Sequence, residues 1–312
     1  MGPEFAGHFV ERKDRPTVIS YGRLIRFFVA ASILLALSLP SVRGTSATSL
    51  GSISALIGAS GKLKAIFTLP GDPALGSVAG TGEPGVYPLA GSGTAAEATL
   101  QKLSLIVLKP FSAKVNGRIG TYRMGNWPYE GRTPRSASYA TPKGFIEVTH
   151  ETFGTSVSEH FKLGDFVTKD QPNVWPKYLV LDRRLLDKLE LTIAELNREG
   201  YAVHDFSVMS GFRTPQYNEQ GVGAGGRSAV SRHQYGDAAD VYPDDDHDGR
   251  LDDLNHDGHV DLKDAKILAS AAEAVELANP ELVGGIGIYP ATSAHGPFVH
   301  IDARGTRARW NG

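Results

Sequence analysis

The chain has 312 residues, of which 41% are apolar, and it carries a formal net charge of −2 and no cysteine. This length suffices for one large core or two smaller ones. The near-neutral charge gives no electrostatic case for binding nucleic acid or an anionic surface. The absence of cysteine excludes disulfides, thiolate zinc sites and a cysteine nucleophile, so any metal must be held by histidine and carboxylate side chains.

A short apolar run near the N-terminus, residues 27–39, follows a segment rich in arginine. The run is shorter than the roughly 20 residues that span a bilayer. Basic residues followed by a short apolar run are typical of a secretory signal. Residues 1–44 are therefore predicted to be a signal peptide, with a retained membrane anchor as the alternative. The chain is expected to be exported to the periplasm or the cell wall.

Two segments of different composition follow this leader. Residues 45–98 are rich in Gly, Ala, Ser and Pro and predict a flexible linker. In residues 99–150, apolar runs are broken by Asn116-Gly117 and by Gly120, which predicts a small β-rich region with a hairpin. This region is either a structural lead-in that packs on the body of the protein or a module that binds the wall or gates a substrate.

Residues 151–312 show clear helix and strand patterns. Leu185, Leu189 and Ile193 recur at helical spacing between a predicted N-cap, Asp182, and a predicted stop, Gly200. FSVMS predicts a strand and LKDAKILASAAEAVELA a second helix, while GGIGIYP and FVHIDARG predict two closing strands. Because helices and strands are mixed without βαβ regularity, the predicted fold class is α+β.

Two sequence strings suggest a metal site. SRHQYGDAAD, residues 231–240, places His233 seven residues before Asp240, and FVHID, residues 298–302, supplies His300. On a strand, alternate side chains share a face, so His300 and Asp302 are expected to point the same way. Two imidazoles and one carboxylate form a three-ligand zinc set that leaves the fourth position for water, as in catalytic sites.

Taken together, SGFRTP, S-x-H-x-x-G-x-A-x-D, GGIGIYP and FVHIDARG resemble the zinc D-alanyl-D-alanine peptidase family of D,D-carboxypeptidases and murein endopeptidases. The resemblance covers residues 157–310, about half of the chain, and SEHFKLGDF resembles the murein endopeptidase branch. It implies a hedgehog-type domain, with a small antiparallel sheet flanked by helices, over residues 151–312. It also implies one catalytic zinc held by His233, Asp240 and His300, and the peptide stems of peptidoglycan as the partner.

The resemblance implies roles for three further residues of this chain. Arg213, in SGFRTP, matches the arginine that binds and polarises the scissile carbonyl, and its alternative is a surface turn residue. Asn218 and Ser231 are expected either to contact the substrate or to support the zinc ligands.

The general base is where the chain departs from the family pattern. Many relatives carry a Glu three residues before the last zinc histidine and others a His two before, whereas this chain has Pro297 and Phe298 there. Asp302 is the first candidate, either as the base or as a carboxylate that orients His300, and a purely structural role is its alternative. His295 is the second candidate.

Residues 244–264 form an acidic insert with a repeat of period nine. Each copy has oxygen ligands at alternate positions, Gly at the sixth position and an apolar anchor, Leu251 or Val260, at the eighth, as calcium loops of the EF-hand type require. The predicted calcium residues are Asp244, Asp246, Asp248, Arg250 and Asp252 in the first copy, and Asp253, Asn255, Asp257, His259, Asp261 and Asp264 in the second.

The two loops resemble EF-hand and dockerin-like loops, and they overlap because the twelfth position of the first copy is Asn255, which the second copy already uses. One or two calcium ions with a structural role are therefore expected. Oxygen ligands favour calcium over zinc. The alternative is a solvated acidic loop, although so many carboxylates would repel one another without a cation.

Two functions from different classes follow. The first is a secreted zinc metallopeptidase that cleaves peptide bonds next to D-amino acids in peptidoglycan by means of zinc-activated water, as a murein endopeptidase or a D-Ala-D-Ala carboxypeptidase. The second is a calcium-stabilised module that binds the cell wall or acts in adhesion without turnover. Membrane contact is expected only through the N-terminal segment, if that segment is kept.

Overall fold

The computed structural model describes residues 57–72, 82–88, 103–223 and 226–312. The predicted signal segment, and the predicted linker outside these ranges, lie beyond the described residues. All described residues belong to one compact unit, Ser46–Gly312. In these ranges, no helix combines the length and the apolar character needed to cross a membrane.

The first half of the described chain forms three small sheets. Strand β3 (Ser104–Val107) lies between β1 (Ala65–Thr68) and β2 (Gly85–Pro88). Strand β7 (Gly144–Val148) lies between β4 (Lys109–Pro110) and β8 (Lys177–Leu179), and β5 (Arg118–Ile119) pairs with β6 (Tyr122–Arg123). Ile146 pairs with Leu179, so strands from both sides of the boundary predicted near residue 150 share a sheet.

The predicted turn at Asn116-Gly117 is confirmed. Both residues have positive φ, 51° and 72°, and the amide and carbonyl groups of Val115 and Arg118 exchange hydrogen bonds of 2.8 and 3.0 Å. Positive φ at both central residues defines the type I′ turn that Asn-Gly favours.

The structure contains three α-helices within the described ranges: α1 (Arg183–Glu199), α2 (Pro215–Glu219) and α3 (Leu262–Ala278). In α1, the side chain of Asp182 accepts a hydrogen bond from the Arg184 amide at 2.9 Å, and Gly200 ends the helix with φ of 98°. Leu185, Leu189 and Ile193 are buried on one face. The predicted bounds of α1 and α3 are therefore confirmed.

A five-stranded sheet has the order β13-β11-β12-β10-β9. Its strands are β9 (Phe206–Ser210), β10 (Ala238–Pro243), β11 (Gly285–Tyr289), β12 (Phe298–Asp302) and β13 (Ala308–Asn311). All neighbouring pairs are antiparallel except β11 and β13. Helices α1 and α3 pack against each other and contact the central strand β12. The predicted α+β class is confirmed.

Candidate metal centre

One row of side chains crosses the five-stranded sheet. The strand register pairs His300 with Asp240 on one side and with Gly287 on the other. Asp240 pairs in turn with Ser210, and Gly287 with Trp310. Because residues paired across neighbouring strands project to the same face, these five positions form a continuous strip. The indole of Trp310 lies over Gly287, where an added Cβ would come within 2.3 Å of the ring.

His233 reaches this strip from a short 3₁₀-helix, Arg232–Tyr235, that precedes β10. Gly236 ends the helix with φ of 71°, and an added Cβ would lie 2.2 Å from the carbonyl oxygen of Val180. Only glycine combines this φ with such a close approach. The turn therefore brings His233 over the start of β10, close to Asp240.

The three predicted zinc ligands meet at one point. Nε2 of His233 lies 3.2 Å from Oδ1 of Asp240 and 3.1 Å from Nδ1 of His300, and the same Oδ1 lies 2.9 Å from that Nδ1. All three side chains are buried, with exposed fractions of 2%, 4% and 6% for His233, Asp240 and His300.

The outer hydrogen bonds of the two imidazoles fix their protonation pattern. Nδ1 of His233 donates to the carbonyl of Gly211 at 2.7 Å, and Nε2 of His300 donates to Oδ2 of Asp302 at 3.1 Å. In a neutral imidazole the other nitrogen then carries a lone pair. When both rings are neutral, the inward atoms are therefore acceptors that face a carboxylate oxygen, an arrangement that a cation stabilises.

The geometry of these three atoms fits a small metal ion. Tetrahedral zinc has ligand bonds of about 2.0–2.1 Å, which places neighbouring ligand atoms about 3.3 Å apart. The separations of 2.9, 3.1 and 3.2 Å are close to this spacing. Each of the two histidines also has an acceptor for its second nitrogen, as metal-bound histidines commonly do. The His233, Asp240 and His300 group could thus bind a metal.

Burial and charge shift the pKa values of these groups in different directions. Burial lowers the pKa of His233 to about 4. At His300, burial is outweighed by hydrogen bonds to Asp240 and Asp302, which raise the pKa above its ordinary value. At Asp240, burial is outweighed by the two histidines, which hold the pKa well below its usual range. His233 is thus already neutral near pH 7, as a metal ligand must be.

Asp302 lies behind His300, on the side of the ring opposite to the ligating nitrogen. Its side chain is fully buried, and it accepts hydrogen bonds from the amide of Gly285 at 2.8 Å and from Nε of Arg304 at 2.9 Å. Gly285, His300 and Arg304 all donate to this carboxylate, so its partners are groups of the protein itself. Of the two roles predicted for Asp302, this position favours the orienting carboxylate over the base.

A buried ionic network holds the backbone beside this carboxylate. Nζ of Lys188, a fully buried residue of α1, donates to the carbonyl oxygen of Asp302 at 2.6 Å and to Glu276 of α3 at 2.5 Å. Glu276 also accepts from the amide of Gly284 at 2.9 Å. Both long helices are thereby connected to the strand that carries His300.

Arg213 lies at the edge of the centre, in contact with Asp240. Its Nη2 donates to Oδ2 of Asp240 at 2.5 Å and its Nε to Oγ of Ser210 at 2.8 Å. The carboxylate of Asp240 thus directs one oxygen at the histidines and the other at the guanidinium. A turn residue on the surface would not be held in this way, since the side chain of Arg213 is only 14% exposed.

Asn218 and Ser231 stand near the two ends of the segment that leads to His233. Asn218 is 1% exposed, and its Nδ2 donates to the carbonyl of Ser228 at 2.9 Å. Ser231 immediately precedes the 3₁₀-helix, and its carbonyl accepts from the amide of Gln234 at 3.2 Å. Both residues therefore shape the loop that presents His233, and the buried Asn218 does so most directly.

His295 precedes β12 and packs on the face that carries His300. Its ring lies 5.0 Å from that of Phe298, which stacks on Tyr289 at 4.6 Å. Nδ1 of His295 donates to the carbonyl of Gly296 at 2.8 Å, which leaves Nε2 with the lone pair. His295 is half-buried.

The two copies of the acidic repeat have matching backbones. His247 and His256 both have φ of 57°, and Gly249 and Gly258 have φ of 80° and 83°. In the first copy, carboxylate oxygens of Asp244, Asp246 and Asp252 come within 4.8 Å of one another. Leu251 is buried as predicted, whereas Val260 is 45% exposed. The prediction that Val260 anchors the second copy is therefore wrong, because it extends into solvent beside the start of α3.

In the second copy, Asp264 is fully buried, and both of its carboxylate oxygens accept hydrogen bonds from backbone amides. Its Oδ1 accepts from the amides of Leu254 and Asn255 at 3.0 and 3.2 Å, and its Oδ2 from that of Asp261 at 2.9 Å. Asp261 caps α3 in return by accepting from the amide of Lys263 at 2.6 Å. This reciprocal pair is a capping box.

The remaining predicted calcium residues stay at the surface of the two loops. Asp248 accepts a hydrogen bond from the amide of Arg250 at 2.8 Å, and Asp257 accepts one from the amide of His259 at 3.1 Å. Arg250 and His259 therefore contribute backbone groups inside their loops. In the second copy, Asp253 accepts from the amide of Gly258 at 2.8 Å.

Several residues of the centre do not stand out in the sequence. Arg304 and Gly285 bind Asp302, Ser210 positions Arg213, and Trp310 lies 5.1 Å from the ring of His300. Arg304 had one local signal, its position two residues after Asp302. The contact of Trp310 with His300 depends on the register of β11, β12 and β13, which local patterns do not reveal.

Comparison with known proteins identifies no relative: no protein-family model, no curated protein and no solved structure matches this chain.

Proposed function

We propose that the chain is an exported zinc metallopeptidase that cleaves peptide bonds next to D-amino acids in peptidoglycan, as a murein endopeptidase or a D-Ala-D-Ala carboxypeptidase. The observation that carries the proposal is the meeting of Nε2 of His233, Oδ1 of Asp240 and Nδ1 of His300 within 3.2 Å of one another. The sequence resemblance supplies the substrate class and the hedgehog-type fold, which are parts of the same proposal.

In this proposal, each residue of the centre has its own role in hydrolysis. When bound by His233, Asp240 and His300, zinc supplies a Lewis acid and lowers the pKa of water. Arg213 provides a fixed cation beside Asp240 that can bind and polarise a carbonyl oxygen, since its two described hydrogen bonds use only Nε and Nη2. Asp302 orients His300, and the lone pair on Nε2 of His295 makes that residue the better candidate for accepting a proton.

The acidic repeat supports a second part of the proposal, one or two structural calcium ions. Asp244 begins the first loop, is 3% exposed and accepts from Oγ of Ser207 on β9 at 2.6 Å. Calcium at this loop would order the end of β10, the strand that carries Asp240.

Digestion of purified cell wall tests the peptidase. The full-length chain is compared with His233→Ala and with His150→Ala, which removes an exposed histidine outside the centre. We expect new muropeptides of defined mass with the native chain and with His150→Ala, and none with His233→Ala. Identical profiles for all three proteins would overturn the proposal.

One observation favours the non-catalytic alternative, a calcium-stabilised wall-binding or adhesion module. Pro297 stands where many members of the resembled family carry a glutamate, and Asp302 is engaged by Arg304 and Gly285. Stoichiometric zinc and sedimentation with cell walls, without hydrolysis of any wall preparation, would establish this alternative.

A further inference from the structure

Arg227 lies in the segment between α2 and the 3₁₀-helix that carries His233. Its Nη1 donates to the carbonyl of Tyr217 at 2.6 Å, and its guanidinium lies 4.2 Å from the centre of the Tyr217 ring. Gly221 makes room for this side chain, since an added Cβ would come within 2.4 Å of Cδ of Arg227. A hydrogen bond, an aromatic ring and a close backbone contact therefore hold Arg227 against α2.

The outer edge of this guanidinium is open. Nε and Nη2 of Arg227 make no hydrogen bond within the described part of the chain, and both atoms reach solvent. In Arg232, the same two atoms bind the carboxylate of Asp237. In Arg304, they bind the carboxylate of Asp302. Nε and Nη2 are parallel donors that match the two oxygens of a carboxylate, so Arg227 presents a carboxylate-binding edge to solvent.

The charge of Arg227 acts on the arginine of the candidate metal centre. The amide of Arg213 donates to the carbonyl of His233 at 3.1 Å, and α2 begins two residues after Arg213. Burial lowers the pKa of Arg213, Asp240 opposes this shift, and the positive charge of Arg227 lowers the pKa further. Because Asp240 already pairs with Arg213, Arg227 adds an unbalanced positive charge on this side of the centre, which favours an anionic group of a ligand.

We propose that Arg227 binds the free C-terminal carboxylate of a short peptide whose scissile bond lies at the candidate metal centre, with the two oxygens accepting from Nε and Nη2. An internal segment of a peptide would offer neutral amide groups instead, which do not match two parallel charged donors. This inference rests on the proposed function for the identity of the ligand. Within that function it favours the D-Ala-D-Ala carboxypeptidase over the murein endopeptidase.

Two ligands that differ only in this carboxylate test the site on the full-length, zinc-loaded chain. Acetyl-D-alanine carries the carboxylate and acetyl-D-alaninamide does not, and NMR line broadening gives the dissociation constant of each. We expect the native chain to bind the acid about tenfold more tightly than the amide, or better, as hydrogen bonds to a charged group do. Arg227→Met should lose this preference, while its affinity for the amide stays unchanged.

Arg132→Met is the matched control. Arg132 also lies over a tyrosine ring, 5.5 Å from the centre of that of Tyr129, and its Nε donates to the carbonyl of Pro128 at 2.8 Å. Its described contacts do not include the candidate metal centre, so this variant should keep the preference for the acid. A native chain that does not prefer the acid would overturn the inference. So would a preference that Arg227→Met keeps, because the carboxylate would then bind zinc or Arg213.

Hydrolysis separates this inference from the proposed function. Cleavage of acetyl-D-Ala-D-Ala and of its C-terminal amide is followed with the same three proteins. If binding of the acid depends on Arg227 but neither peptide nor any wall preparation is cleaved, the proposed function fails and the carboxylate site stands. If the native chain cleaves both peptides equally well, the inference is overturned and the proposed peptidase stands.

Discussion

Nε2 of His300 donates to Oδ2 of Asp302 at 3.1 Å, while Nδ1 of the same ring lies 2.9 Å from Oδ1 of Asp240. The imidazole of His300 therefore contacts two carboxylates. Asp302 fixes the tautomer of the ring, and Asp240 lies beside the nitrogen that could bind a metal. The orientation of His300 is thus set by a residue on the side of the ring away from the candidate metal centre.

Replacing Asp302 by asparagine should weaken zinc binding by about 10–100-fold, the usual effect of losing such a partner. The amide carries no charge to balance Arg304 or to strengthen the bond from His300. Competition with a chromophoric chelator measures the affinity. Asp187→Asn is the control, because Asp187 is also a buried carboxylate but accepts hydrogen bonds from the amides of Ala59 and Ser60. Equal affinities in both variants would contradict the orienting role.

Zinc should stabilise the fold, and removing it should reverse the effect. At free zinc about 100 times the Kd, mass action adds about 2.7 kcal/mol to the free energy of unfolding. Urea unfolding with zinc and with a chelator measures the difference. His300→Ala removes a ligand and should abolish the difference, and an undiminished zinc effect in that variant would place the ion elsewhere.

Zinc affinity should fall as the pH decreases through the raised pKa of His300, because zinc then competes with a proton on that ring. Above that pKa the affinity should depend little on the protonation of His300. His233, with a pKa of about 4, should contribute no further proton above about pH 5. Calorimetry at pH 5–6.5, in buffers of different ionisation enthalpy, should show release of about one proton. A release of two protons would contradict this assignment.

Replacing Arg213 by methionine should reduce kcat/KM by about 100-fold or more on a muropeptide substrate, the effect of removing one donor to a developing oxyanion. Methionine has a similar length but no charge. Zinc content has to be measured alongside, because Arg213 also binds Asp240. A loss of activity that only follows a loss of zinc would make Arg213 a support for the ligand.

Two substitutions in the acidic repeat should behave differently. Asp246 is exposed, so Asp246→Asn should change stability without calcium by less than about 0.5 kcal/mol and weaken calcium binding. Asp264 is buried and holds three backbone amides, so Asp264→Asn should lower stability by about 1–2 kcal/mol even without calcium. Thermal unfolding with calcium and with a chelator separates the two effects. Equal losses in both variants would contradict the distinction.

Local patterns predicted those features that depend on neighbours in the sequence. Asp182 and Gly200 bound α1 as their capping preferences indicate, and Asn116-Gly117 forms the expected turn. The alternation in β12 places His300 and Asp302 on one face, and the register then adds Asp240. The structure brings His233, Asp240 and His300 together, as the family resemblance implied.

Contacts that depend on packing between distant segments could not be predicted. From the sequence, Lys188 would be predicted to be an exposed residue of an amphipathic helix. It is instead fully buried and donates hydrogen bonds to Glu276 and to the carbonyl oxygen of Asp302. The failure at Val260 has a similar origin, since Leu254, which is 5% exposed, is the buried apolar residue of the second copy. A spacing rule identifies a loop type but not the side that meets the core.

The order of His233, Asp240 and His300 along the chain also bears on when a metal could bind. His233 and Asp240 lie close in sequence, but His300 arrives only after the acidic repeat, α3 and β11 have been placed. No partly synthesised chain that ends before β12 contains the whole site. An ion held by all three residues would therefore bind only after β12 has joined the sheet, and because such sites bind several first-row metals, the compartment in which folding finishes would decide which ion is bound.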